Sequence, residues 1–191
     1  EGNIPNIGGV NVFMSMMLAI FSFYFWREKS INYVLFGAVI VFITGFIDDI
    51  ISIKPINKLI GQFIGIWILV FLNQTYISNF YGIFEIGQLN QTFSYLFTFF
   101  VAIVIVNSIN LIDGIDGLAA GMGVVVSLFL GIYFYLVKDI DPSFVAFALC
   151  GALSVFFFFN VFGKKTKIFL GDSGSLIIGY FITYMLIRLM Q

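Results

Sequence analysis

The chain has 191 residues, 61% of them hydrophobic and 10% charged, with a formal net charge of −1 and a mean hydropathy of +1.07. This balance excludes an ordinary water-soluble domain, where apolar residues make up about half of the chain, and it leaves no basic stripe for nucleic acid. The single cysteine, Cys150, excludes an intrachain disulfide and a thiolate metal cluster.

A helix needs roughly 20 apolar residues to cross a bilayer. Seven such spans are predicted, at about 10–26, 33–51, 57–73, 93–109, 118–137, 144–162 and 174–190. The opening EGNIPNIGG is polar and has no basic leader, so it does not read as a signal peptide. The chain begins with Glu and ends directly after an apolar run, as a segment of a longer protein would. The fold class expected is an all-α polytopic membrane protein, seven helices of a larger bundle. Within the loop at 74–92, YGIFEIGQL alternates around glycines and forms either a small extracytoplasmic hairpin or an irregular cap.

Five aspartates stand at the ends of these runs, and a carboxylate near hydrocarbon is a functional candidate by default. Asp48 and Asp49 close the second span. Neighbours on a helix point about 100° apart, so the two cannot face one small ligand squarely. One can meet a metal or take a proton while the other holds a lysine or positions a phosphate. Pro55 favours a new helix, which places Lys58 in its first turn beside the pair. A lysine there opposes the helix dipole and needs an anionic partner; Lys54 reads as a snorkelling surface residue.

The fourth span ends in NSINLIDGIDGLAAG at 107–121. Asn107, Asn110, Asp113 and Asp116 recur every three residues, a spacing that drifts by about 60° per step and cannot keep one helical face. Gly114 and Gly117 supply the break that lets the chain turn several oxygens inward. Such oxygens suit Mg²⁺, although Asn and Asp beside Gly also serve as ordinary turn residues. The third motif, FLGDSGS at 169–175, is a glycine-rich turn feeding a helix. A helix N-terminus attracts phosphate, and Asp172 then implies Mg²⁺ bridging it to a diphosphate. Ser173 and Ser175 read as helix caps, and Phe169 either stacks on a base or serves as one more core or lipid-facing ring.

Counting spans puts all three motifs, with IPNIGG, on one side of the membrane. The Lys164, Lys165 and Lys167 cluster assigns that side to the cytoplasm, and REKS, with Arg27 and Lys29, to the other.

The segments IPNIGG, GFIDDI, NSINLIDGIDGLAAG and IFLGDSGSLIIG, in this order and separated by spans, resemble the polyprenyl-phosphate N-acetylhexosamine-1-phosphate transferase family. That family includes undecaprenyl-phosphate GlcNAc-1-phosphate transferases, teichoic-acid initiators and the phospho-MurNAc-pentapeptide translocase. The resemblance covers nearly all of residues 1–191 and implies a partial transferase membrane domain. It implies that Asp48 and Asp49 lie beside the lipid phosphate and that Asn110 and Asp172 hold Mg²⁺, with Mn²⁺ as a substitute. It places Asp113 and Asp116 along the nucleotide-sugar cleft, Lys58 as an active-site lysine, and Phe169 near the uracil.

The implied reaction moves a sugar-1-phosphate from a UDP-N-acetylhexosamine to an undecaprenyl-phosphate-like lipid, releasing UMP, in the bacterial inner membrane; a homodimer is allowed for. DDIISIKPINKL favours a GlcNAc donor over UDP-MurNAc-pentapeptide. A transporter is the alternative outside the enzymes, against which stands the lack of an internal repeat. Family members carry a histidine-containing loop further along and about ten or eleven spans, whereas this chain has no histidine. It is expected to hold the metal and acidic core, and alone it could be inactive.

Overall fold

The computed structural model describes residues 7–25, 32–164 and 166–191. Among them are helices α1 (Gly8–Phe25), α2 (Asn32–Ile51), α3 (Pro55–Trp67), α4 (Gln91–Ile112), α5 (Leu118–Leu136), α6 (Ile140–Phe162) and α7 (Gly171–Leu189). The last turns of α3 loosen into a π-helical segment, Ile68–Leu72, closed by a bond from the Asn73 amide to the Ile68 carbonyl. Each predicted span meets one helix. The REKS loop, including Arg27 and Lys29, lies outside the described residues, as do Ile4, Pro5, Asn6 and Lys165.

Local chemistry explains several boundaries. Lys54 sits in extended conformation and Pro55 takes the first helical position of α3, where its missing N–H costs nothing. Asn90 caps α4 by accepting a 2.8 Å bond from the Phe93 amide. At the far end of α4 the chain turns through 113–117, and Gly117, at φ +74°, opens α5 in the left-handed region that glycine tolerates.

Helix α7 is the axis of the bundle. It packs against α1, α2, α4, α5 and α6, and every residue from Ser173 to Met185 is buried. Large apolar side chains such as Phe36, Phe100, Phe129 and Phe158 point outward from α2, α4, α5 and α6, as a lipid-facing surface requires. By length and composition α2 to α6 can each cross a membrane, α3 by way of its π-helical extension, and Gly8–Phe23 is a shorter apolar helix. Helix α7 is more polar: Thr183 lies in its protein-covered middle, whereas Asp172 and Arg188 stand at its two ends. Its acid lies in the first turn and its arginine in the last, both favourable to the helix dipole. The chain is a multi-pass, all-α membrane protein.

Several buried polar groups find inside the bundle the partners that lipid cannot supply. Tyr180 donates to the Val34 carbonyl at 3.0 Å and Ser143 to the Gly131 carbonyl at 3.0 Å. The loop after α3 contains only a single antiparallel bridge, between Asn79 and Gln88, around a short 3₁₀ turn at Ile83–Glu85. The expected hairpin is thus present as a short return: beside the bridge, the amides of Phe80, Gly82 and Leu89 bond to the carbonyls of Gly87, Ile86 and Ser78, at 3.1, 3.0 and 2.9 Å. Its glycines favour turning over strand extension, and the backbone at Ile77 bonds instead to the Thr98 hydroxyl, at 2.9 Å.

Candidate active site

The end of α2, the starts of α3, α5 and α7 and the ends of α4 and α6 meet at one end of the bundle. Lys58 ties four of these helices together. Its ammonium lies 3.1 Å from Asp48 Oδ2 at the end of α2 and 3.1 Å from Asn110 Oδ1 near the end of α4, and it pairs with Asp172 Oδ1 in the first turn of α7. Asn110 Nδ2 in turn donates to Asp172 Oδ1 at 2.5 Å and to Ser175 Oγ at 2.7 Å. Asp48 Oδ1 accepts the Ile53 amide at 2.8 Å, which fixes the turn into α3. These pairings relieve two local conflicts, a carboxylate at the negative end of α2 and a lysine at the positive end of α3.

Asp49 points elsewhere. Its two oxygens accept the backbone N–H groups of Asp172, at 2.7 Å, and Ser173, at 3.0 Å. This corrects two expectations. The first-turn amides of α7 foreseen as a phosphate cradle are already bound to a carboxylate, so a phosphate cannot take those two donors. The serines are not the caps either. Ser175 donates to the Gly171 carbonyl at 3.0 Å, and the buried Ser173 hydroxyl has no partner among the described residues.

Beside this network opens a cleft of about 250 Å³ lined by Asp113, Gly114, Asp116, Asn160, Phe169, Leu170 and Gly171. Asp116 pairs with Lys167 at 2.5 Å, and the same ammonium stands 5.4 Å from the centre of the Phe169 ring. Among the described residues Asp113 has no such partner cation. Burial first, then the negative charges of Asp172, Asp49 and Asp116, push its carboxyl up to about 7. A larger apolar groove of about 580 Å³ between α1 and α6 has no charged group in its lining.

The polar segment expected to join these motifs does so through its glycines: the Gly8 amide bonds to the Phe169 carbonyl at 2.9 Å and that of Gly9 to the Leu170 carbonyl at 2.8 Å. Two residues outside the expected set hold the site together. Asn160 is buried, accepts the Gly117 amide at 2.6 Å and donates to the Ile168 carbonyl at 2.9 Å, which braces both walls of the cleft. Gln62, one turn beyond Lys58, pairs amide to amide with Asn107, one turn before Asn110, at 2.8 and 3.3 Å. Each is a lone amide inside an apolar run, a pattern that marks a buried polar contact but not its partner. Lys54 is exposed at the start of α3, in keeping with a surface role.

Mg²⁺ prefers oxygen ligands and keeps several waters. Asn110 and Asp172 direct their Oδ1 atoms to one spot, which the Lys58 ammonium fills. An all-oxygen donor set around a cationic centre fits such an ion. Among the described residues no group of three or more His, Cys, Asp or Glu side chains could hold a metal unaided. An ion held here would need further oxygen ligands from outside these side chains.

Over its whole length the chain is 30% identical to an undecaprenyl-phosphate alpha-N-acetylglucosaminyl 1-phosphate transferase of Escherichia coli O157:H7, of which it covers 53%. It is 32% identical over 93% of its length to a phospho-N-acetylmuramoyl-pentapeptide-transferase of Wolbachia pipientis wMel, covering 57% of that protein. A decaprenyl-phosphate N-acetylglucosaminephosphotransferase of Mycobacterium leprae is 29% identical over 92% of the chain and covered to 48%. The chain thus spans about half the length of the curated relatives it matches. The four-helix carboxylate network and its adjoining cleft lie within residues 31–190, the stretch matched by glycosyl transferase family 4, and the chain belongs to that family.

Proposed function

We propose that this chain carries the acidic core of an enzyme that transfers N-acetylhexosamine-1-phosphate, GlcNAc-1-phosphate foremost, from a UDP-sugar to a polyprenyl phosphate, releasing UMP. The observation that carries this reading is the Lys58 network at one end of the bundle, beside the Asp113–Asp116–Phe169 cleft. A lipid acceptor reaches its site along the bilayer, and a nucleotide donor enters from water. The site faces the cytoplasm of a bacterial cell in this reading, the side to which the sequence cluster Lys164, Lys165 and Lys167 assigns it.

In the reaction an oxygen of the lipid phosphate forms a bond to the β-phosphorus of the donor, and the bond from that phosphorus to the bridging oxygen breaks. The electron pair leaves with UMP. Asp48 and Lys58 orient the acceptor, the lysine offering its charge to the phosphate when it turns from Asp172. Phe169 stacks on the uracil, while Asp113 and Asp116 line the path of the diphosphate and sugar. Asn110 and Asp172 would hold Mg²⁺, which when bound neutralises charge that builds on the diphosphate oxygens. Lipid phosphate needs little help to ionise, since a phosphate monoester has a second pKa of about 6, so direct displacement suffices.

The test is UMP release by the full-length protein in nanodiscs with undecaprenyl phosphate and either UDP-GlcNAc or UDP-MurNAc-pentapeptide. Turnover with the first is expected. Turnover with the second alone would overturn the donor and keep the reaction class; release with neither, at saturating Mg²⁺, would overturn the reading.

A further inference from the structure

We propose that Asp49 is a positioning residue: reaching across from α2, it caps the N-terminus of α7 and thereby sets the place of Asp172. The inference rests on the transferase reading only for its consequence in turnover.

A helix begins with amides that have no acceptor of their own, and a side chain at the N-cap normally supplies one. Helix α7 has Leu170 at that position, and it makes no side-chain cap bond. Asp49 replaces it, with one oxygen on the Asp172 amide and the other on the Ser173 amide. Its negative charge also lies at the positive end of the α7 dipole. The surrounding backbone is shaped for this contact. A Cβ on Gly171 would fall 2.7 Å from Asp49 Oδ1 and 2.8 Å from Oδ2, and one on Gly45 would fall 2.6 Å from the Asp172 carbonyl oxygen. Gly171 also takes φ +73°, a conformation other residues resist.

The adjacent pair thus divides its labour by helical geometry. Asp48 turns to the Lys58 ammonium, and Asp49, about 100° around α2, turns to the α7 backbone. With both oxygens engaged, Asp49 acts on the reaction through the helix that bears Asp172.

The test compares the intact protein in nanodiscs with its Asp49→Asn and Asp48→Asn variants. Residue-resolved amide hydrogen exchange is measured at 172 and 173, and UMP release is followed against Mg²⁺ and lipid phosphate concentration. In the unsubstituted protein both amides should be protected. Asp49→Asn keeps one acceptor but faces the second amide with a donor, so its exchange should rise about tenfold, the factor for ~1.4 kcal/mol and within the range of a lost cap. Its half-saturating Mg²⁺ should rise by a similar factor while the KM for lipid phosphate stays put, a split that mere loss of folded protein would not produce. Asp48→Asn should leave the two amides protected.

Unprotected amides in the unsubstituted protein would overturn the proposal, and that arm decides even if Asp49→Asn fails to fold. A raised lipid KM with an unmoved Mg²⁺ requirement would also overturn it, making Asp49 a substrate contact. Should no transferase activity be found, the exchange arm still judges the cap by itself.

Discussion

The amide pair between Gln62 and Asn107 offers a quantitative test of how the site is held. Gln62 is fully buried, and its amide makes both of its interhelical bonds to Asn107. Asn107 keeps a further 2.8 Å bond to the Ile103 carbonyl on its own helix. Changing Asn107→Leu therefore strands a whole buried amide, whereas Gln62→Leu strands chiefly one carbonyl. An orphaned buried polar group costs about 1–3 kcal/mol, but interhelical hydrogen bonds within membranes couple by only about 0.6–1.7 kcal/mol. Between those bounds, Asn107→Leu should cost ~2 kcal/mol and Gln62→Leu ~1 kcal/mol, with the double variant near ~1.5 kcal/mol because neither orphan remains. Equilibrium unfolding in mixed micelles gives all three values and hence the coupling. Additive single costs, or Gln62→Leu costing more than Asn107→Leu, would refute the pairing.

Asp172→Asn should reduce UMP release by at least about 100-fold while the fold persists, since a charged group at the centre of the site is lost but a similar shape is kept; near-normal release at saturating Mg²⁺ would remove Asp172 from that role. Phe169→Ala should raise the KM for the UDP-sugar about tenfold, as loss of a base stack of ~1–3 kcal/mol implies, with little change in melting temperature because the ring is partly exposed. The Asp113 carboxyl, raised from 3.8 to about 7, keeps its proton in the folded state after the unfolded chain has released it. Its contribution to stability is thus present below about pH 4 and is lost as the pH rises to 7. In metal-free melts Asp113→Asn should be more stable than the parent at pH 7.5, and the gap should close toward pH 4; a constant gap would contradict the assignment.

The spans were legible because hydrocarbon imposes a minimum apolar length, so α2 was foreseen at 33–51 and runs from Asn32 to Ile51. The break after Ile112 was legible from Gly114 and Gly117, and the 100° argument foresaw that Asp48 and Asp49 would part company. Partner choice was not legible. That Asp49 would cap a helix 123 residues further along depends on the approach of α2 to α7, which local pattern does not encode. The same holds for Gln62 and Asn160, whose polarity is visible but whose partners are set by tertiary packing. Helix α7 was expected from 174 and starts at Gly171, because its cap comes from elsewhere in the molecule.

The axial position of α7 has a consequence for biogenesis. Of the seven helices described it is made last, and it carries the least lipid-compatible surface of the long ones. The helices that will surround it must therefore enter the bilayer around a slot that they cannot yet fill. Its middle is covered by those neighbours rather than by hydrocarbon. Asp172 joins Asp48, Lys58 and Asn110 only when α7 docks among their helices. Synthesis order thus leaves the Lys58 network without its Asp172 arm until α7 has been made.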